Sequence, residues 1–223
     1  MSKPQGTKGI FIALEGIDGS GKSTAMDTVA SILKNLGYSV AKTAEPTTDN
    51  ELGSLIRSLL ASEDKSSDAA IALLFAADRQ MHSDRITKRI EEWDGDKPLA
   101  VVTDRYMLSG LAYQTANLPW PYVANINMFN KRPDITLYFD IPVNDALHRI
   151  NATGRPKEMY EKDKFLGETK IRYERAFRMT DTDPVRIDAS QSLERVNQEL
   201  VYKLTEAVKK LNRKGNRKWL NLL

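Results

Sequence analysis

The residues with the clearest chemical meaning form the segment GIDGSGKS, which begins at Gly16 and ends at Ser23. This segment fits the pattern G-x-x-x-x-G-K-[ST] at every fixed position, and an apolar run at residues 10–14 predicts a buried strand before it. Glycine lets the backbone approach an anion closely, and the helix expected from residue 22 adds its positive end. We therefore expect a nucleoside triphosphate on Gly16, Ile17, Asp18, Gly19, Ser20, Gly21, Lys22, Ser23 and Thr24.

Four side chains are expected to contact the phosphates of such a triphosphate or its Mg²⁺ ion. Lys22 is expected to reach the outer phosphates, and the Ser23 hydroxyl is expected to bind Mg²⁺. Asp104 ends a predicted strand, where its carboxylate could hold the same ion directly or through water. Arg105 follows it with a planar, permanently charged fork that suits a phosphate. The alternative for Asp104 and Arg105 is a pair that only caps the next helix.

The elements that position these residues alternate between strand and helix. Predicted strands cover residues 10–14, 38–43, 99–103, 134–140 and 185–188, and each looks apolar enough to be buried on both faces. This pattern predicts an α/β fold: a three-layer P-loop NTPase fold, with a five-stranded parallel sheet flanked by helices and a short lid. Ligands of such sheets bind at the carboxyl ends of the strands. The phosphate loop, Glu45, Asp104, Arg105 and Asp140 should therefore line one pocket.

Composition limits the other functions of this chain. Its 223 residues fit a single domain, residues 1–223. The chain contains no cysteine, which suits a reducing, cytoplasmic location. No apolar run approaches a membrane span. The net charge is +3, but six basic residues close to the end leave −3 for the remainder, so we expect no nucleic-acid surface. These six are Lys209, Lys210, Arg213, Lys214, Arg217 and Lys218.

Three further segments resemble the thymidylate kinase family. The segment DRYMLSGLAYQ, from Asp104 to Gln114, is similar to the characteristic motif of that family. The segment LLFAADR, which ends at Arg79, and the Glu15-Gly16 setting of the phosphate loop resemble it too. The resemblance spans nearly the whole chain. It implies an enzyme that transfers the γ-phosphate of ATP to dTMP with Mg²⁺, acts on small nucleotides and forms a homodimer through packed helices.

The resemblance also implies roles for individual residues. Phe75 would stack on thymine and Arg79 would bind a thymine carbonyl; they lie four residues apart and so share a helix face. Arg105 would clamp the acceptor phosphate, and Tyr113 would lie against the deoxyribose. The remaining acceptor-site residues would be Ser109 and Gln114 in the base pocket, Asp18 at the sugar 3′-hydroxyl, and Glu45.

Members of this family place a catalytic arginine either in the phosphate loop or in the lid. The loop position is Gly19 here, so the resemblance implies a lid arginine at residues 151–162. We expect Arg155 to fill this role, with Arg149 next to the ATP phosphates as the reserve. Ala44 stands where relatives often have an arginine, so either Arg57 or another cation compensates or the affinity for the acceptor is lower.

Two alternatives remain open at this stage. A GTPase-type switch would need a glycine three residues after Asp104, where this chain has Met107, and an aspartate after Asn130-Lys131 that is missing here. A related kinase for a different deoxynucleotide or deoxynucleoside would use the same loop and sheet. The basic, apolar C-terminal tail, from about residue 212, could dock on a partner or on acidic lipid, although folding back or fraying is more common.

Overall fold

A computed structural model describes residues 8–62, 67–152 and 163–220, and in the last range it describes side chains for residues 164–213. The strands are β1 (Gly9–Glu15), β2 (Ser39–Ala44), β3 (Leu99–Asp104), β4 (Ile135–Asp140) and β5 (Val185–Asp188). The helices in these ranges are α1 (Lys22–Asn35), α2 (Glu51–Ala61), α3 (Asp68–Glu91), α4 (Met107–Gln114), α5 (Trp120–Ile126), α6 (Val143–Ala152), α7 (Asp163–Met179) and α8 (Leu193–Leu220).

The five strands form one parallel sheet in the order β2-β3-β1-β4-β5, which confirms the predicted fold class. In the register of this sheet, Leu14 of β1 lies beside Asp104 of β3, and Ala44 of β2 lies on the other side of Asp104. The carboxyl ends of the three strands therefore finish at one level. Whatever follows them in sequence meets at the same edge of the sheet.

Alternating side chains of β1 face two separate cores, because successive residues of a strand point to opposite faces. Ile10, Ile12 and Leu14 belong to a core cluster that includes residues of α1 and α8. Phe11 and Ala13 belong to a second cluster with residues of α3. The sheet is thus the middle of three layers, and a central strand buried on both faces is what the apolar run at residues 10–14 predicts.

One expectation about the elements was wrong. The edge strands β2 and β5 are only partly buried, because each has a neighbour on one side alone. Helix α5 begins at Trp120 with Pro121 in its first turn, where proline is tolerated because its missing N–H would have no partner there. The lid falls largely on residues 153–162, outside the described ranges.

Candidate active site

The phosphate loop connects β1 to α1 and depends on three glycines with positive φ angles, Gly16, Gly19 and Gly21. A side chain would be strained at each of them. A Cβ on Gly16 would also lie only 2.8 Å from the carbonyl oxygen of Phe139, and one on Gly19 would overlap the backbone of Ala146. The loop therefore brings bare backbone against its neighbours. Within it, the N–H of Asp18 donates to the Tyr113 hydroxyl at 3.1 Å, and the N–H of Ser20 donates to the carbonyl oxygen of Ile17 at 3.3 Å.

Lys22 lies buried inside this loop. Its Nζ donates hydrogen bonds to the carbonyl oxygens of Gly16, at 3.0 Å, and Ile17, at 2.9 Å, and to Ser20 Oγ at 3.2 Å. Burial lowers the pKa of Lys22 to about 8, and repulsion from Arg105 acts in the same direction. A nearby polyanion would favour the charged form, so this ammonium group is prepared to bind phosphate.

Ser23 and Asp104 form a second polar centre beside the loop. The Ser23 hydroxyl donates to Asp104 Oδ2 at 2.5 Å. The other carboxylate oxygen, Asp104 Oδ1, is buried and accepts no hydrogen bond within the described part of the chain. A hydroxyl and an unsatisfied carboxylate oxygen are the ligand types that Mg²⁺ prefers. These two residues fit the metal that the sequence predicts.

A phosphate pocket opens over the loop and these two residues. Arg149, at the end of α6, also lines this pocket. Its guanidinium group lies close to the phosphate loop, since a Cβ built on Gly21 would be 3.7 Å from Arg149 Nη1. Its Nη2 donates to the carbonyl oxygen of Ala189, in the loop after β5, at 2.8 Å. The pocket is lined by Asp18, Gly19, Gly21, Lys22, Ser23, Thr24, Asp104, Arg105, Arg149 and Ile150.

A second pocket lies between α3, α4 and the loop after β2, and we call it the α3–α4 pocket. Phe75 forms part of its wall and is half-buried. Gln114 contributes the amide oxygen Oε1, which is buried and accepts no hydrogen bond from the described residues. The lining residues are Asp18, Glu45, Pro46, Leu60, Phe75, Arg79, Arg105, Ser109, Gly110, Tyr113 and Gln114.

Arg79 is held firmly at the wall of this pocket and is only 1% exposed. Its Nε donates to Glu45 Oε2 at 2.7 Å, and its Nη1 donates to Asn127 Oδ1 at 2.7 Å. Glu45 also contacts His82 Nδ1, at 3.0 Å from Oε1. The predicted acceptor-site residue Glu45 therefore anchors Arg79, while the guanidinium group lies against Gly110.

Asp18 and Arg105 line both pockets and join them. Arg105 Nη2 donates to Asp18 Oδ1, and the Tyr113 hydroxyl donates to Asp18 Oδ2 at 2.8 Å. Burial tends to raise the pKa of Asp18, but the cations of Arg105 and Lys22 outweigh it and the net pKa is lowered. The backbone of Arg105 has φ +66°, a conformation that costs energy in any residue with a side chain.

A buried carboxylate supports this junction from behind. Glu15 is fully buried and accepts hydrogen bonds from the Tyr106 N–H at 3.1 Å, Ser109 Oγ at 2.5 Å and the Tyr173 hydroxyl at 3.1 Å. Burial raises the pKa of Glu15, although these donors and the charge of Arg105 oppose the shift. Ser109 therefore points its hydroxyl at Glu15 while its side chain lines the α3–α4 pocket.

The structure gives different outcomes for the other sequence-predicted cations. Arg155 lies outside the described residues. Arg57 donates to the carbonyl oxygens of Pro46, at 3.0 Å, and Thr47, at 2.7 Å. It fixes the loop after β2 and is not among the residues that line the phosphate pocket or the α3–α4 pocket.

Four residues of the site carried no assigned role in the sequence: Glu15, His82, Asn127 and Tyr173. Each acts across a long sequence separation, such as 48 residues between Asn127 and Arg79. The only usable sequence signal is position: Glu15 ends the strand before the loop, and His82 follows Arg79 by one helical turn.

A parallel sheet with a phosphate loop, beside a second pocket that shares Asp18 and Arg105 with the phosphate pocket, is the arrangement of a P-loop kinase. No helix in the described ranges is long and apolar enough to cross a membrane. The family model for thymidylate kinase matches residues 14–200. The chain belongs to the thymidylate kinase family, whose enzymes phosphorylate dTMP to dTDP with ATP.

Individual relatives agree with this assignment. A protein described as a probable thymidylate kinase of Pyrococcus abyssi is 35% identical over 200 residues, which cover 87% of this chain and 95% of the relative. A probable thymidylate kinase of Thermococcus gammatolerans is 36% identical over 204 residues, 86% of this chain and 94% of the relative. One from Pyrococcus horikoshii is 43% identical over 153 residues, 66% of this chain and 72% of the relative.

Proposed function

We propose that ATP binds in the phosphate pocket, that dTMP binds in the α3–α4 pocket, and that the γ-phosphoryl group crosses at Arg105. The observation that carries this proposal is that Asp18 and Arg105 line both pockets. Two nucleotides bound in these pockets would bring their phosphates together at the Arg105 guanidinium. Such positioning is the main requirement of phosphoryl transfer, because the chemistry needs little covalent help from the protein.

The α3–α4 pocket offers hydrogen-bonding groups that match thymine. Arg79 supplies a donor for a ring carbonyl, and the unsatisfied Gln114 Oε1 supplies an acceptor for the ring N3–H. In cytosine the C4 carbonyl is replaced by an amino group, and N3 is an acceptor instead of a donor. The amino group would meet the donor of Arg79, and N3 would meet the acceptor of Gln114. Phe75 provides a half-buried ring for stacking. We assign the sugar to the neighbourhood of Tyr113, whose hydroxyl is fixed by Asp18.

The acceptor needs no general base, because a phosphate monoester oxygen is already anionic at neutral pH. The enzyme has to bring two polyanions together and stabilise the charge on the transferring group. Lys22 and Arg105 supply positive charge at the junction, and Arg149 supplies it on the ATP side. We propose that Arg155 of the lid adds a further cation; Arg155→Ala should then reduce kcat far more than it raises either KM.

Mg²⁺ would be held by Ser23 Oγ and by Asp104 Oδ1, the carboxylate oxygen that accepts no hydrogen bond from the residues that the structure describes. When bound, the ion would offset the negative charge of the ATP phosphates and help to orient the γ-phosphoryl group. Asp104 is placed for this role because it ends β3 directly beside the phosphate loop.

We further propose that the enzyme works in the cytoplasm, because a chain without cysteine suits a reducing compartment. We also propose that it is a homodimer whose interface is the outer face of α3. Leu73 and Met81 are 50% and 48% exposed, and the small exposed residue Ala77 lies between them at helical spacing. A second copy would bury this apolar stripe by symmetry. Leu73→Glu with Met81→Glu should give a monomer by light scattering; an unchanged mass would contradict this interface.

The test of the reaction is transfer of labelled phosphate from ATP to a panel of deoxynucleotides and deoxynucleosides in the presence of Mg²⁺. Label should appear in dTDP, with dCMP and thymidine accepted at least 100-fold less efficiently. Efficient phosphorylation of thymidine or of another monophosphate would favour the alternative, a related kinase with a different acceptor. Arg79→Ala should weaken dTMP binding and leave ATP binding unchanged if the base lies in the α3–α4 pocket.

A further inference from the structure

We propose that His82 is a positioning residue for the acceptor base, acting through Glu45 on Arg79. This inference rests on the proposed function, because it places the base in the α3–α4 pocket. His82 is only 3% exposed and is not among the residues that line that pocket. Any effect on the acceptor must therefore pass through the side chains that His82 contacts.

Both ring nitrogens of His82 are engaged. Nδ1 lies 3.0 Å from Glu45 Oε1, and Nε2 lies 2.9 Å from Thr43 Oγ1. An ionised carboxylate can only accept, so Nδ1 carries a proton and donates it to Glu45. The Thr43 hydroxyl then fixes the other side of the ring. Because Thr43 lies in β2, the ring links the sheet to the loop that carries Glu45.

Glu45 is clamped between two residues of α3 one helical turn apart. Oε2 accepts a hydrogen bond from Arg79 Nε at 2.7 Å, and Oε1 accepts one from His82 Nδ1 at 3.0 Å. With Nη1 of Arg79 donating to Asn127, this arrangement fixes the plane of the guanidinium group. Without His82, Oε1 would be a buried oxygen with no donor, and the carboxylate would rotate to find another partner. Arg79 would then lose the orientation in which it faces the base.

A purely structural role for His82 predicts a different result, and His82→Phe separates the two. The His82 ring packs edge-on against Tyr106, with ring centroids 6.2 Å apart, and phenylalanine can retain that contact. It removes both hydrogen bonds. His82→Asn places an amide N–H near the position of Nδ1 and should restore the bond to Glu45. His148→Phe is the matched control, because His148 is exposed on α6.

The readouts are the Kd for dTMP and for ATP, together with kcat and the melting temperature. His82→Phe should weaken dTMP binding about 10-fold, the size of one hydrogen bond to a charged group, with ATP binding and saturated kcat within about twofold. His82→Asn should recover most of this loss. Thr43→Val removes only the hydrogen bond between Thr43 Oγ1 and His82 Nε2 and should weaken dTMP binding about threefold. This variant provides the test if His82→Phe fails to fold.

A double-mutant cycle with Arg79→Ala decides whether His82 acts through Arg79. In that background, His82→Phe or Thr43→Val should have no further effect on dTMP binding. Additive losses, or an unchanged dTMP Kd in a folded His82→Phe or Thr43→Val single variant, would overturn the inference. If Arg79→Ala itself leaves dTMP binding unchanged, the placement of the base has failed, which is a separate outcome.

Discussion

Replacing Gly110 with alanine should displace Arg79 from the wall of the α3–α4 pocket. A Cβ on Gly110 would lie 2.6 Å from Arg79 Nη1 and 3.1 Å from Cζ. Reaching an ordinary contact of 3.4 Å requires a shift of about 0.8 Å. Arg79 cannot make that shift freely, since Glu45 and Asn127 are both buried and hold two of its nitrogens.

The magnitude follows from what this shift breaks. The bond from Nη1 to Asn127 involves a charged donor, and such hydrogen bonds contribute about 1.5–3 kcal/mol. If the strain is relieved by moving Arg79, dTMP binding should weaken by about 10-fold or more, because 1.4 kcal/mol is a factor of ten. Overpacking of this kind also costs about 1–3 kcal/mol of folding stability.

The assay is ADP release measured against dTMP and ATP separately, alongside thermal unfolding. Gly110→Ala should raise the KM for dTMP with the KM for ATP unchanged. Gly167→Ala is the control: it lies in α7 with nothing within 4 Å of the added Cβ, and alanine should stabilise that helix by about 1 kcal/mol. A Gly110→Ala enzyme with wild-type KM for dTMP and unchanged melting temperature would refute the assigned role of Arg79.

Three further outcomes are expected. Arg105→Gly and Arg105→Ala should both abolish phosphoryl transfer. The glycine variant should melt about 2–4 °C higher than the alanine variant, which corresponds to about 1 kcal/mol, because only glycine tolerates φ +66° easily. Equal melting temperatures would argue against backbone strain at Arg105. ATP binding should raise the pKa of Lys22 from about 8, so calorimetry at pH 8.5 in buffers of different ionisation enthalpy should show uptake of about 0.75 proton. This uptake should be absent in Lys22→Arg, and no uptake in the wild type would contradict the lowered pKa. Ser23→Ala should increase the Mg²⁺ concentration needed for half-maximal rate by about 10-fold, while binding of metal-free ATP stays within twofold; an unchanged Mg²⁺ requirement would remove Ser23 from the metal site.

The features predicted correctly from the sequence are those that depend on local patterns. The glycines and Lys22 identify the phosphate loop because only certain residue types allow that backbone conformation. Strands that alternate with helices imply a parallel sheet, and a parallel sheet implies that residues following the strands meet at one edge. Arg105 lies at this edge as predicted, but the expectation of a single pocket was wrong: Glu45 lines the α3–α4 pocket, Asp104 lines the phosphate pocket, and Asp140 lines neither.

The features that were missed depend on which elements become neighbours. The partial exposure of β2 and β5 follows from the strand order, which periodicity does not reveal. The anchoring of Arg79 by Asn127 requires α5 to pack near α3, and no local signal in the sequence specifies that contact. The contacts of His82 have no local signal in the sequence, because its partners Thr43 and Glu45 lie 39 and 37 residues away.

The contact between the two pockets at Asp18 and Arg105 can be tested most directly with one molecule. An inhibitor that joins adenosine to thymidine through a chain of phosphates would occupy both pockets only if their phosphate ends meet. It should bind one molecule per chain and inhibit competitively against ATP and against dTMP. Competition against ATP alone, with dTMP still binding to the inhibited enzyme, would contradict a shared junction.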